Sequence, residues 1–107
     1  MSMDMNKLFE QVGAMQQQMQ EAQEELAQQT VEASAGGGAV TVTATGSGEL
    51  KALRIDRKAI DPNEPELLAD MILAAVNEAL RSAQSLAESK LGGLAGGTLG
   101  GLGLPGF

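Results

Sequence analysis

Gly36-Gly37-Gly38-Ala39-Val40-Thr41-Val42-Thr43-Ala44-Thr45-Gly46-Ser47-Gly48 is the stretch that decides the fold. Val40, Val42 and Ala44 alternate with Thr41, Thr43 and Thr45, the two-residue period of a strand with one face turned inward. The glycine clusters on either side read as turns. Upstream, Val31, Ala33 and Ala35 alternate with Glu32 and Ser34. Downstream, Leu53 and Ile55 point one way, and Ala52 and Arg54 the other. Strict alternation also sets Lys51 and Arg57 at the ends of the Leu53/Ile55 face. Turns this short imply an antiparallel three-stranded meander over residues 30–57. So small a sheet needs a helix or a second sheet on its apolar face.

Working outward, residues 4–29 read as one long helix. Met5, Leu8, Val12, Met15, Met19, Ala22 and Leu26 recur at alternating spacings of three and four, a heptad seam. Twenty-six residues at about 1.5 Å each give roughly 39 Å. A domain of this length has an expected radius of gyration of about 13 Å, so the helix should project beyond the body. The narrow seam fits either a helix packed on its own sheet or a contact between subunits. On the other side, Ile60-Asp61-Pro62-Asn63-Glu64-Pro65 leads into a second helix over residues 64–91, with Asp61 or Asn63 as cap. Leu68, Ile72, Ala75, Val76, Ala79, Ala83 and Leu86 share one arc of it, widened by Leu73 and Leu80. That arc exceeds what one small sheet can cover, which points to a second subunit. Gly92-Gly93 should stop this helix. Residues 92–107 are half glycine and uncharged, so a disordered, flexible Gly/Leu-rich tail is expected.

Composition closes several function classes. The 107 residues contain no Cys and no His, which removes disulfides, thiolate or imidazole metal sites and imidazole catalysis. Scattered serines have no histidine to activate them. Neither glycine cluster has the spacing of a phosphate loop or a dinucleotide fingerprint. Asp56 and Asp61 read as loop and cap residues, since a hard-metal site needs more oxygens at close spacing. No catalytic, metal or cofactor residues are therefore assigned, and an enzyme is not expected. Met1-Ser2-Met3-Asp4 has no basic start and no apolar run follows, so no secretory leader and no membrane segment are expected. A cytoplasmic protein is the default.

Charge is unevenly placed. The net charge is −7, which argues against a simple basic nucleic-acid binder. Residues 1–45 carry net −5 and residues 61–107 net −4, whereas residues 46–60 carry net +2. Lys51, Arg54, Arg57 and Lys58 make that segment the one positive stretch. Lysines on an edge strand also serve to block aggregation.

The whole layout resembles a known family. Met15-Gln16-Gln17-Gln18-Met19-Gln20-Glu21-Ala22-Gln23-Glu24-Glu25-Leu26 is followed by Gly46-Ser47-Gly48-Glu49-Leu50-Lys51-Ala52-Leu53-Arg54-Ile55-Asp56. Ala59-Ile60-Asp61-Pro62 then leads to Leu67-Leu68-Ala69-Asp70-Met71-Ile72-Leu73-Ala74-Ala75-Val76-Asn77-Glu78-Ala79. Order and spacing over about residues 4–91 are similar to the YbaB/EbfC family of nucleoid-associated proteins. The resemblance implies an α+β domain over residues 1–91 and a tweezer-like homodimer built on the strands and second helices. It also implies binding of duplex DNA with little sequence preference, nucleoid organisation and gene regulation. Many relatives carry several lysines on the first helix, whereas residues 4–29 hold only Lys7. Phosphate contacts are therefore expected from Lys51, Arg54, Arg57 and Lys58, with Lys7, Arg81 and Lys90 next in line. The alternative is an interaction module of the same fold that binds a protein partner through its arms or tail.

Overall fold

The computed structural model describes residues 5–101. Its centre is the Val40–Thr45 strand, β2, flanked by β1 (Thr30–Ala35) and β3 (Leu50–Ile55) in the order β1-β2-β3. Both pairings are antiparallel. Ala33 and Leu53 lie opposite Val42 from the two sides, and Ala35 and Ile55 lie opposite Val40. Directly opposed residues share a face, so the apolar side chains of the three strands form one inner surface. Gly36, Gly37 and Gly38 all take positive φ in the β1–β2 turn, the region that costs glycine nothing.

Helix α1 spans Met5–Gln28, and α2 spans Pro65–Gly101. Helix α2 lies across β1 and β2, and Ala75, Ala79 and Ala83 meet Val40, Val42 and Ala44 in a fully buried cluster. Alanine every four residues lets the helix axis approach the sheet closely, at the cost of a thin core. Val40 and Val42 are the largest side chains buried completely. Such a core leaves little reserve, as expected for a chain of this size.

Only Ala22 and Leu26 of α1 are buried. Gly46 marks the place where the end of α1, the end of β2 and α2 converge. A Cβ there would stand 2.8 Å from Leu26 Cδ2, 2.9 Å from the Leu26 carbonyl oxygen and 3.2 Å from Leu86 Cδ2. The Gly46 amide donates to the Gln29 carbonyl at 2.9 Å, and Lys90 of α2 forms an ion pair with Glu25 of α1. N-terminal to this junction the helix projects, and the molecule measures 77 × 28 × 16 Å.

Two boundaries differ from the sequence expectation. The second helix continues through Gly92-Gly93 to Gly101 rather than stopping at residue 91. Neither glycine takes the left-handed conformation that caps a helix, so each costs about 1 kcal/mol relative to Ala without ending it. Residues 102–107 of the expected tail lie outside the described residues. The third strand ends at Ile55, and Arg57–Ala59 form a 3-10 turn, η1, instead of extending it.

Candidate nucleic-acid interface

The positive segment occupies β3, an edge of the sheet, and the turn that follows it. Each base is held differently. The register shifts by one residue between Thr43 and Ala44: Thr43 lies opposite Ala52, and Ala44 lies opposite Leu50. Lys51 is the extra residue of this bulge and has no partner on β2. Leu50, not Lys51, therefore joins Leu53 and Ile55 on the inner face. This corrects the placement that strict alternation gave Lys51.

Arg54 lies opposite Thr41 on the outer face, as alternation requires. Its Nη2 stands 3.5 Å from Glu32 Oε1 on β1, with both side chains well exposed to water. A pair this long and this wet is worth little. Arg57 and Lys58 leave the sheet in η1. The Asp56 carboxylate accepts from the Lys58 amide at 3.0 Å, and the Ile60 amide closes the turn onto the Arg57 carbonyl at 3.2 Å. The Asp56 amide donates to the Ala39 carbonyl at 2.7 Å, which fixes η1 to the start of β2. Arg57 is thus on an exposed turn and not at the end of the Leu53/Ile55 face, because the Asp56 cap ends the extended backbone.

The four bases do not converge on one point. Lys51 stands at one end of β3 and Arg57 and Lys58 beyond the other, roughly 20 Å apart for an extended chain. They instead form a line along one edge. Among the described residues Lys51, Arg57 and Lys58 form no ion pair, whereas Arg81 is bound by Glu78 at 3.2 and 2.7 Å and Lys90 by Glu25. Unneutralised positive charge on the body is therefore concentrated on β3 and η1. Its strength is tempered at one end: Asp56, Asp61 and Glu64 share with Lys58 the wall of an open pocket of about 360 Å³. No group of three or more carboxylates among the described residues is placed to hold a metal ion.

Beside the basic line lies an apolar surface. Helix α2 covers β1 and β2 and leaves β3 open, so Leu50 and Leu53 are exposed although they share a face with buried Val42. Ile60 after η1 and Leu73 and Leu80 on the flank of α2 are exposed too. The sequence reading gave Leu53, Leu73 and Leu80 but missed Leu50 and Ile60. A bulge leaves no signature in hydropathy, and Ile60 follows a turn without periodicity.

The YbaB/EbfC DNA-binding family model matches residues 1–98. This chain belongs to that family. It is 55% identical over 104 residues to a nucleoid-associated protein of Streptomyces avermitilis, covering 97% of this chain and 91% of that one. It is 51% identical over 109 residues to a nucleoid-associated protein of Saccharopolyspora erythraea, covering 97% and 94%. A similar relative in Acetivibrio thermocellus, also a nucleoid-associated protein, is 50% identical over 99 residues, covering 92% and 87%. The fold matches the crystal structure of an uncharacterized protein from Helicobacter pylori, with a TM-score of 0.71 at 24% identity, over 92% of this chain and 99% of that one. That family is one of DNA-binding nucleoid-associated proteins and not of enzymes.

Proposed function

We propose that the chain is a nucleoid-associated protein that binds duplex DNA with little sequence preference as a homodimer, in the cytoplasm at the nucleoid, where it contributes to DNA organisation and gene regulation. The observation that carries this reading is the concentration of unpaired bases, Lys51, Arg57 and Lys58, on one edge of a body that is otherwise acidic or ion-paired. Arg54 joins them, since its exposed contact with Glu32 is easily exchanged for a phosphate. The open inner face of β3, with Leu50 and Leu53, and the Leu73/Leu80 flank of α2 form the dimer contact. Pairing there sets two basic edges on one assembly. No helix among the described residues is long and apolar enough to cross a membrane.

Phosphate neutralisation supplies the binding force. The described part holds one aromatic residue, Phe9 on the arm, so bases have nothing on the body to stack against. A dimer engages about four to six phosphates, which gives a log–log salt slope of about −4 to −5 and loses most affinity by physiological salt. Anisotropy titrations of a labelled duplex across a salt series test this. The paired substitutions Arg57→Ala and Lys58→Ala are expected to flatten the slope and weaken binding to all sequences alike. An unchanged slope and affinity would move the site to Lys7, Arg81 and Lys90.

A second reading rests on the exposed apolar seam of an acidic α1: a protein-interaction module of the same fold with weak or no DNA binding. Absence of any shift at low salt would favour it.

A further inference from the structure

The body accounts for Ala22 and Leu26 of α1 and for nothing on the N-terminal side of them. Met5, Leu8, Phe9, Val12, Met15 and Met19 remain between 41% and 67% exposed. As a helix, residues 5–19 span roughly 22 Å. A segment of that length is marginal in water unless something packs against it.

The residues bordering the seam say what that something is. With Met5, Val12, Met19 and Leu26 in one seam row and Leu8, Met15 and Ala22 in the other, the bordering positions are Phe9, Gln11, Gln16, Gln18, Gln23 and Glu25. Lys7, Glu10, Glu21 and Glu24 all face away from the seam. Among the described residues Glu25 is the one bordering charge, and it is held by Lys90 of its own chain. Bordering charges choose partners in paired helices: opposite signs attract a foreign helix, and like signs repel an identical one. Over residues 5–19 this arm has neither, so an identical helix meets no repulsion and a basic one gains nothing. Glutamine amides can donate and accept across such a border, and flexible methionines adapt to one another.

We propose that the arms of two copies of this chain pair seam to seam over Met5–Met19. Two heptads bury less than the ~1,200 Å² typical of a stable specific interface, so the contact forms when copies are locally concentrated. It links copies through the end of the molecule remote from the sheet and does not rest on the DNA reading.

The chain has no cysteine, so a single introduced thiol reports unambiguously. Full-length Val12→Cys and Met15→Cys proteins, alone and mixed, are treated with a short thiol-reactive cross-linker without nucleic acid. Gln17→Cys, on the outward face, is the reference. The seam thiols are expected to couple between copies at least about tenfold faster, because pairing raises their effective concentration toward millimolar. Parallel arms cross-link within each single variant, and antiparallel arms in the mixture. Comparing two faces of one helix cancels any proximity imposed by a contact elsewhere. Adding Leu8→Glu is expected to remove the excess rate while the thermal midpoint stays unchanged, since Leu8 is exposed and outside the core. Equal rates on the two faces, or an excess that survives Leu8→Glu, would overturn the proposal.

Discussion

Val42 and Leu53 lie directly opposite each other on one face of one sheet, yet Val42 is 0% exposed and Leu53 50%. Alternation gave both the same inward direction. The difference lies in the cover: alanines Ala75, Ala79 and Ala83 bring α2 down onto β1 and β2, and one helix is too narrow to reach β3 as well. A face is thus a property of the strand, and burial is a property of what lies above it. The same contrast runs along α1, where one seam supplies both buried Leu26 and Met15 at 53% exposure.

The sharpest way to break this comparison is to place a charge at each of the two opposed positions. Val42→Asp buries an unpaired carboxylate and is expected to cost about 4–5 kcal/mol or more, abolishing the cooperative melt seen by circular dichroism. Leu53→Asp meets water and is expected to keep the helical spectrum while sedimentation shows loss of the dimer. If Leu53→Asp also unfolds the chain, the open half of the face belongs to the core after all. Along α1 the expected effect is smaller. Leu26→Ala should cost about 2–5 kcal/mol by chemical denaturation, and Met15→Ala within about 0.5 kcal/mol of wild type at low concentration. The glycines divide in the same way. A methyl at Gly46 runs into the Leu26 carbonyl, so Gly46→Ala should destabilise by about 1–3 kcal/mol. Gly13 on the arm has nothing within 4 Å, and Gly13→Ala should be neutral or stabilise by up to about 1 kcal/mol.

Much of this was legible in the sequence because it is periodic. The strand alternation and glycine turns placed the three strands, the heptad placed the first helix and the apolar arc the second, and the charge segments singled out β3 and η1. What could not be read is local or tertiary. The bulge that exchanges Leu50 for Lys51 on the inner face is a single extra residue, invisible to a count of alternation. The Asp56 cap that turns Arg57 out of the strand looks, in sequence, like one more polar residue. Gly92-Gly93 reads as a stop, but the glycine cap that commonly ends a helix needs positive φ, and these two do not adopt it.

The projecting arm has a consequence for how the protein travels through solvent. A chain of 107 residues folded as a sphere-like body has a radius of gyration of about 13 Å, whereas this one has 20.5 Å. By the same scaling, 20.5 Å belongs to a compact protein of roughly 350 residues. On a sizing column calibrated with compact standards, which reads drag, a single copy therefore runs ahead of its 11.0 kDa mass, and shape alone imitates assembly. Light scattering or sedimentation equilibrium, which weigh the particle independently of its shape, separates one elongated copy from several.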